Sequence, residues 1–181
     1  PSVSDFFKDI VKAMEQNFVA REGNRVQING KLNHNAAHWV VARLNEAEDK
    51  GYQDFVLDCT WCTGAFPDGL VPVTAFVDSW RAQGCEFEIT LPKEESAAKL
   101  LVNCNFAHFI QPDAFSYHET ILSKHVSIRR FDTLKAQVAI VKEFVNVALN
   151  TTELTRDVLQ GMEWSLNEVM DNVLIHASAA R

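Results

Sequence analysis

Glycine and proline are sparse in this chain, with seven and five among 181 residues. No stretch is of low complexity and no internal repeat is visible, so linker-like and repeat architectures are excluded. Basic residues are in deficit, 17 Lys and Arg against 24 Asp and Glu, for a formal net charge of −7. A broad grip on nucleic acid needs a basic surface. None is expected here, since the adjacent Arg129-Arg130 make only a small patch. No apolar run approaches the ~20 residues that cross a bilayer, and the first residues lack the pattern of a secretory signal. The expectation is a cytoplasmic chain with no membrane contact. Its 47% hydrophobic and 23% charged residues are the composition of a globular protein with a core.

Cysteine is limited to Cys59, Cys62, Cys85 and Cys104. Cys59 and Cys62 form a C-x-x-C, the spacing of a redox pair or of half a zinc site. A redox pair wants its first thiol at a helix N-terminus, where the macrodipole favours thiolate, but Cys59 falls at the end of a strand-like run. A zinc site needs two further ligands. The candidates His34 and His38 lie one turn apart on a predicted helix, with no carboxylate between them. Buried free thiols and no bound metal are the expectation.

The periodicity predicts a helix over 4–20, with Phe6, Phe7, Ile10, Val11, Met14 and Phe18 at helical spacing, then a strand over 25–32. A helix capped by Asn33 or Asn35 runs to about Lys50 and stops at Gly51. A short strand over 54–59, a loop over 60–67 and a helix over 68–83 follow, then a strand over 86–91, a helix over 94–103 and a short strand over 107–110. This alternation predicts an α/β layer fold. The polar, irregular segment 111–118 predicts a boundary, dividing the chain into 1–117 and 118–181. Beyond it come a strand over 125–131 and two amphipathic helices, about 134–149 and 154–177.

The last of these helices places Leu159, Met162, Leu166, Val169, Met170, Val173 and Ala177 on one face, and Glu168, Asn172 and His176, four apart, on another. By spacing alone the polar stripe is a solvated face. The string Asn167 to Ala177, N-E-V-M-D-N-V-L-I-H-A, resembles the N-box of the histidine-kinase-type (GHKL) ATPases, the family that includes gyrase and the Hsp90 chaperones. That resemblance implies that Asn172 offers an oxygen to a magnesium ion on the nucleotide, that Glu168 acts as general base, and that His176 is a secondary contact. It also implies ATP and Mg as cofactors of a complete domain, and a serine kinase or ATPase as its activity. Residues 125–177 cover only the opening of such a domain. The family's adenine-reading D-x-G-x-G and glycine-rich lid would lie downstream, whereas Gly161 is the last glycine here. No cofactor is therefore expected for this chain as it stands, because one helix bearing polar residues lacks the cradle that holds a triphosphate.

Residues 54–109 resemble a STAS domain, the fold of the anti-sigma-factor antagonists. The residues that carry this are the strand ending at Asp58, the loop reaching Gly69-Leu70 with its helix, Arg81-x-x-Gly84, and the strand from Glu86. In that family a strand Asp precedes by eleven residues the glycine of a D-S-S-G phosphorylation loop, and Asp58 and Gly69 keep that spacing. Asp68 stands at the phosphorylatable position in Phe66-Pro67-Asp68-Gly69. It supplies a single charge where a phosphoserine carries about −1.5 to −2, and it is equally suited to cap the following helix. Together the resemblances imply a regulatory signalling protein: a partner-binding module fused to an incomplete ATP-binding domain. The implied partners are a sigma-factor regulator or the ATPase part itself. The apolar faces of the two C-terminal helices add the expectation of a homodimer, or of folding back on the α/β module.

Overall fold

The structure is a computed structural model that describes residues 18–119 and 127–179, with side chains described as far as Ile175. Its contacts divide into two units, Pro1–Glu119 and Thr120–Arg181.

The first unit is α/β. Strands β1 (Val19–Glu22) and β2 (Arg25–Leu32) form an antiparallel hairpin over Gly23, whose φ of 60° suits a residue without Cβ. From there the chain alternates: α1 (His34–Glu48), β3 (Asp54–Ala65), α2 (Pro67–Arg81), β4 (Glu86–Thr90), α3 (Glu95–Asn103) and α4 (Phe106–Ile110). The sheet order is β1-β2-β3-β4, with β3 parallel to both neighbours. Parallel neighbours cannot be joined by a tight turn, and α1 and α2 supply the two crossovers. Asn33 caps α1 by accepting from the Ala36 amide at 3.1 Å, and the helix buries Ala37, Val40, Leu44 and Ala47, a helical-period face. Helix α2 buries Leu70, Val73 and Val77, and Trp80 beside them meets Phe55 at 5.2 Å between ring centroids. Phe55 also stacks on Phe87 of β4 at 5.1 Å, which ties three elements together through one ring.

The central strand departs from expectation. It runs to Ala65, six residues past the predicted end, so most of the expected loop is strand. Its buried apolar residues are Phe55, Leu57 and Cys59, and then Cys62, an interval of three that a regular strand would place on opposite faces. The register explains this. Gln27 and Asn29 of β2 lie opposite Asp58 and Trp61, so β3 carries one residue more than its partner there. This bulge resets the alternation and returns Cys62 to the core. A second shift follows between Gly30 and Lys31, beside Gly30 with its φ of 82°.

Three other expectations are corrected. Val19 and Ala20, assigned to the N-terminal helix, belong to β1, where pairing with β2 overrides helical spacing; the rest of the predicted 4–20 helix lies outside the described residues, apart from Phe18. Residues 107–110, read as a strand, form helix α4. Arg81 of α2 donates to the carbonyls of Phe109 and Ile110 at its C-terminal end, satisfying acceptors that a helix end leaves free. No strand occurs in 127–131, the described part of the segment predicted as 125–131.

The 111–118 segment is irregular, as expected, yet firmly held by the α/β unit. Asn105, fully buried at φ 67°, clasps the backbone of His118 twice: Nδ2 donates to the carbonyl and Oδ1 accepts from the amide, both at 2.9 Å. A ring nitrogen of His108 lies 2.7 Å from the Phe115 carbonyl, and the Gln111 side chain accepts from the Ile89 amide at 3.2 Å.

The second unit contains α5 (Leu134–Thr151), capped by Thr133, and α6 (Arg156–Ala179). Val141 and Leu159 are buried between them, and Arg129 pairs with Glu143 at 2.8 Å. Among the described residues no helix is long and apolar enough to cross a membrane.

Candidate functional site

The carboxyl ends of parallel strands are where open α/β sheets place their ligand sites. At this end of β3 a single residue, Phe66, separates the strand from α2. Pro67 opens the helix with its φ already suited to a first turn. Asp68 follows, exposed, in that turn, where its charge meets the positive end of the helix dipole. The expected cap is not formed: Phe66 is the N-cap residue and no side chain caps the helix. Asp68 sits two residues inside the helix, so its carboxylate has passed the position from which a cap reaches the free N–H groups. Pro72, four residues on, has no N–H to give the Asp68 carbonyl, which leaves this turn with one bond fewer.

Gly69 is buried for a steric reason. A Cβ there would stand 2.6 Å from the Leu32 carbonyl carbon and 2.9 Å from the Asn33 nitrogen, and closer still to the Leu32 oxygen. The first turn of α2 lies directly on the backbone between β2 and α1, an approach only glycine permits. The Phe66 amide donates to that same Leu32 carbonyl at 2.9 Å.

Upstream of this turn, on β3 and at its end, are exposed rings that sequence reasoning did not select. Trp61 (53% exposed) and Phe66 (45%) face solvent, with Lys93 Nζ 4.0 Å from the Trp61 ring centroid and Lys31 Nζ 5.9 Å from that of Phe66. Trp61 is turned outward by the bulge, which no periodicity announces.

Asp58 lies nearer the strand's start, paired with Arg25 at 3.0 Å and accepting from the Thr60 amide at 2.9 Å. Burial alone would raise its pKa. The hydrogen bonds from the Thr60 hydroxyl and amide, with the Arg25 guanidinium, outweigh that and hold the carboxyl below its ordinary value. Cys59 and Cys62 are buried free thiols, as are Cys104 and, half-buried, Cys85. Burial, then the neighbouring Cys62 and Asp58, push the Cys59 thiol well above its ordinary value, and burial raises Cys62. Neither is the thiolate that redox exchange requires. His34 and His38 are exposed on α1, and among the described residues no group of three or more His, Cys, Asp or Glu side chains could hold a metal ion.

On α6, Glu168 and Asn172 are exposed one turn apart. His176 belongs to the same helix, but its side chain lies outside the described residues. The expected apolar face is only partly right: Leu159 is buried and Met162, Leu166 and Met170 are half-buried, while Val169 (61%) and Val173 (50%) face solvent. The side turned to α5 includes polar residues instead. Gln137 Nε2 donates to Asp171 Oδ1 at 2.6 Å and to the Asn167 carbonyl at 3.3 Å.

Two measurements test this geometry. Gly69→Ala should lower the unfolding free energy of the α/β unit by about 1–3 kcal/mol through overpacking against backbone. Gly64→Ala, where a Cβ meets nothing within 4 Å, is the control and should change it by less than about 0.5 kcal/mol. Equal losses in urea titration would contradict the close approach. The Asp58 pair gives a pH dependence. Its folded pKa is the lower one, so its stability is present above the ordinary carboxylate pKa and is lost as pH falls through the folded value. Asp58→Asn should therefore flatten the decline of the urea midpoint below about pH 4, the range in which carboxylates titrate. A decline parallel to that of the parent chain would show that the pair contributes nothing.

Compared with known proteins, the chain matches no protein family and no curated protein.

Proposed function

We propose that this chain is a regulatory signalling protein, in which a STAS-like, partner-binding α/β module precedes the N-box region of a GHKL-type ATPase domain. The observation that carries the reading is the β3–α2 junction. An exposed acid stands in the first turn of a helix, next to a glycine that the backbone approach demands, with the exposed Phe66 two residues before it and the exposed Trp61 earlier on β3. An anti-sigma-factor antagonist presents its phosphorylatable serine in such a turn. Asp68 occupies that position here and carries a permanent charge in its place. The large exposed aromatic rings are of the kind that dominate binding energy at protein interfaces. The partner we infer is a sigma-factor regulator or an ATPase domain of the fused type.

The second reading, an ATP-dependent serine kinase or ATPase in a complete chain, is favoured by one observation: Glu168 and Asn172 project together from α6 into solvent. The regulatory reading leads because the β3–α2 junction brings more observations to it. A further part of the proposal is assembly. Leu134, Leu149, Trp164, Val169 and Ile175 of α5 and α6 are exposed apolar side chains, and a second copy of the chain would cover them. Sedimentation equilibrium should show a dimer, and a monomer throughout the micromolar range would remove this part.

The junction reading predicts that Asp68→Ser, incubated with Mg-ATP and a purified anti-sigma-factor serine kinase, gains one phosphate on the introduced serine, whereas the parent chain gains none. Mass spectrometry reads the result, and a serine left unmodified at that position would defeat the assignment of this turn. Titration of the parent chain with Mg-ATP alone separates the two readings. No binding below millimolar concentration is expected, and a micromolar Kd abolished by Asn172→Ala would favour the enzyme.

A further inference from the structure

Gln137 is 1% exposed, between two helices whose other buried residues, Val141 and Leu159, are apolar. Its Nε2 donates to Asp171 Oδ1 and to the Asn167 carbonyl, both on α6, at 2.6 and 3.3 Å. Its Oε1 is buried and has no hydrogen-bond partner among the described residues. A buried acceptor left unmatched is unfavourable, so this glutamine is not what an interface selected for stability alone would hold. The rotation of α6 shows the same conflict. Apolar residues occupy a broad arc of the helix, and hydrophobic burial by itself favours turning Val169 and Val173 toward α5. They face solvent at 61% and 50% exposure, while the Asp171 carboxylate and the Asn167 carbonyl meet Gln137 of α5.

We propose that Gln137 is a positioning residue that sets the rotation of α6 about its own axis, and with it the direction in which Glu168 and Asn172 project. Glu168 follows Asn167 and Asn172 follows Asp171, and successive helical residues are separated by about 100° around the axis. Anchoring Asn167 and Asp171 against α5 therefore turns Glu168 and Asn172 outward. A single polar residue buried among apolar ones is a known way of selecting one packing arrangement at the expense of stability. Apolar contacts between Val, Leu and Met side chains are permissive, whereas an amide that must meet a carboxylate is satisfied in one orientation. The value of this orientation for function rests on the N-box reading of Glu168 and Asn172, but the rotation itself does not.

The test uses the whole chain in three forms: parent, Gln137→Met, which keeps the shape and removes the amide, and Asp171→Asn, which keeps an oxygen able to accept from Gln137. Paramagnetic broadening by a soluble gadolinium chelate reports the exposure of the Val169 and Val173 methyl groups by NMR. The indole N–H of Trp164, the one tryptophan of α6, reports the number of α6 environments. In the parent and in Asp171→Asn, both valines should be broadened and Trp164 should give one cross-peak. In Gln137→Met, broadening of the valines should fall at least twofold, or Trp164 should split into two environments, while the thermal midpoint stays equal or rises. An unchanged valine pattern with one Trp164 peak in Gln137→Met would overturn the proposal. So would a changed pattern in Asp171→Asn, because the clasp would then not be what holds the rotation. Neither result depends on nucleotide binding, so failure here leaves the proposed function to its own tests.

Discussion

The pairing of β3 with β2 is the constraint on which the α/β unit depends. β3 is bonded on both edges, and its pairing with β2 reaches from Arg25 opposite Val56 to Leu32 opposite Ala65. Because the pairing is parallel, the chain must leave the end of each strand and return across the sheet, and α1 and α2 exist to make that return. The last pair, Leu32 and Ala65, brings the ends of two strands together where two helices begin. There the first turn of α2 rests on the Leu32 and Asn33 backbone at a distance that only Gly69 allows. Register, crossover and glycine are thus consequences of one another.

The bulge in β3 has a second consequence. One extra residue between Asp58 and Trp61 returns Cys62 to the core and turns Trp61 to solvent. Before the bulge the strand serves packing and an ion pair, through Phe55, Leu57 and Asp58. After it the strand presents an aromatic ring with a lysine against it. The half of the strand next to α2 is therefore the half that faces a partner in the proposed function, and the buried thiols lie behind it.

The helical unit is governed by a different balance. Of the described apolar residues on its two helices, Val141 and Leu159 are buried, while Leu134, Val169, Val173 and Ile175 are exposed. Its most specific contact is the hydrogen bond from Gln137 to Asp171. In the proposed positioning role of Gln137, such an arrangement favours one orientation over maximal burial.

Much of this was legible in the residues themselves. Helical spacing located α1, α2, α3, α5 and α6, Asn33 was one of two candidate caps beside Asn35, and the alternation in 25–32 and 86–91 marked strands, because these signals depend on neighbours within a turn or two. Free thiols followed from composition in the same way. The junction at Asp68 and Gly69 was visible as a spacing, but its physical reason was not, since the Leu32 backbone that Gly69 meets is 37 positions away in sequence. The strand identity of Val19 and Ala20, the extension of β3 to Ala65 and the outward turn of Trp61 were set by pairing with β2. The helix over 106–110 is held in part by the Arg81 side chain from α2. Local propensity determines which segments can be helix or strand. Hydrogen bonds and close approaches between distant residues decide where each segment ends and which face it shows, and those contacts exist only in the folded chain.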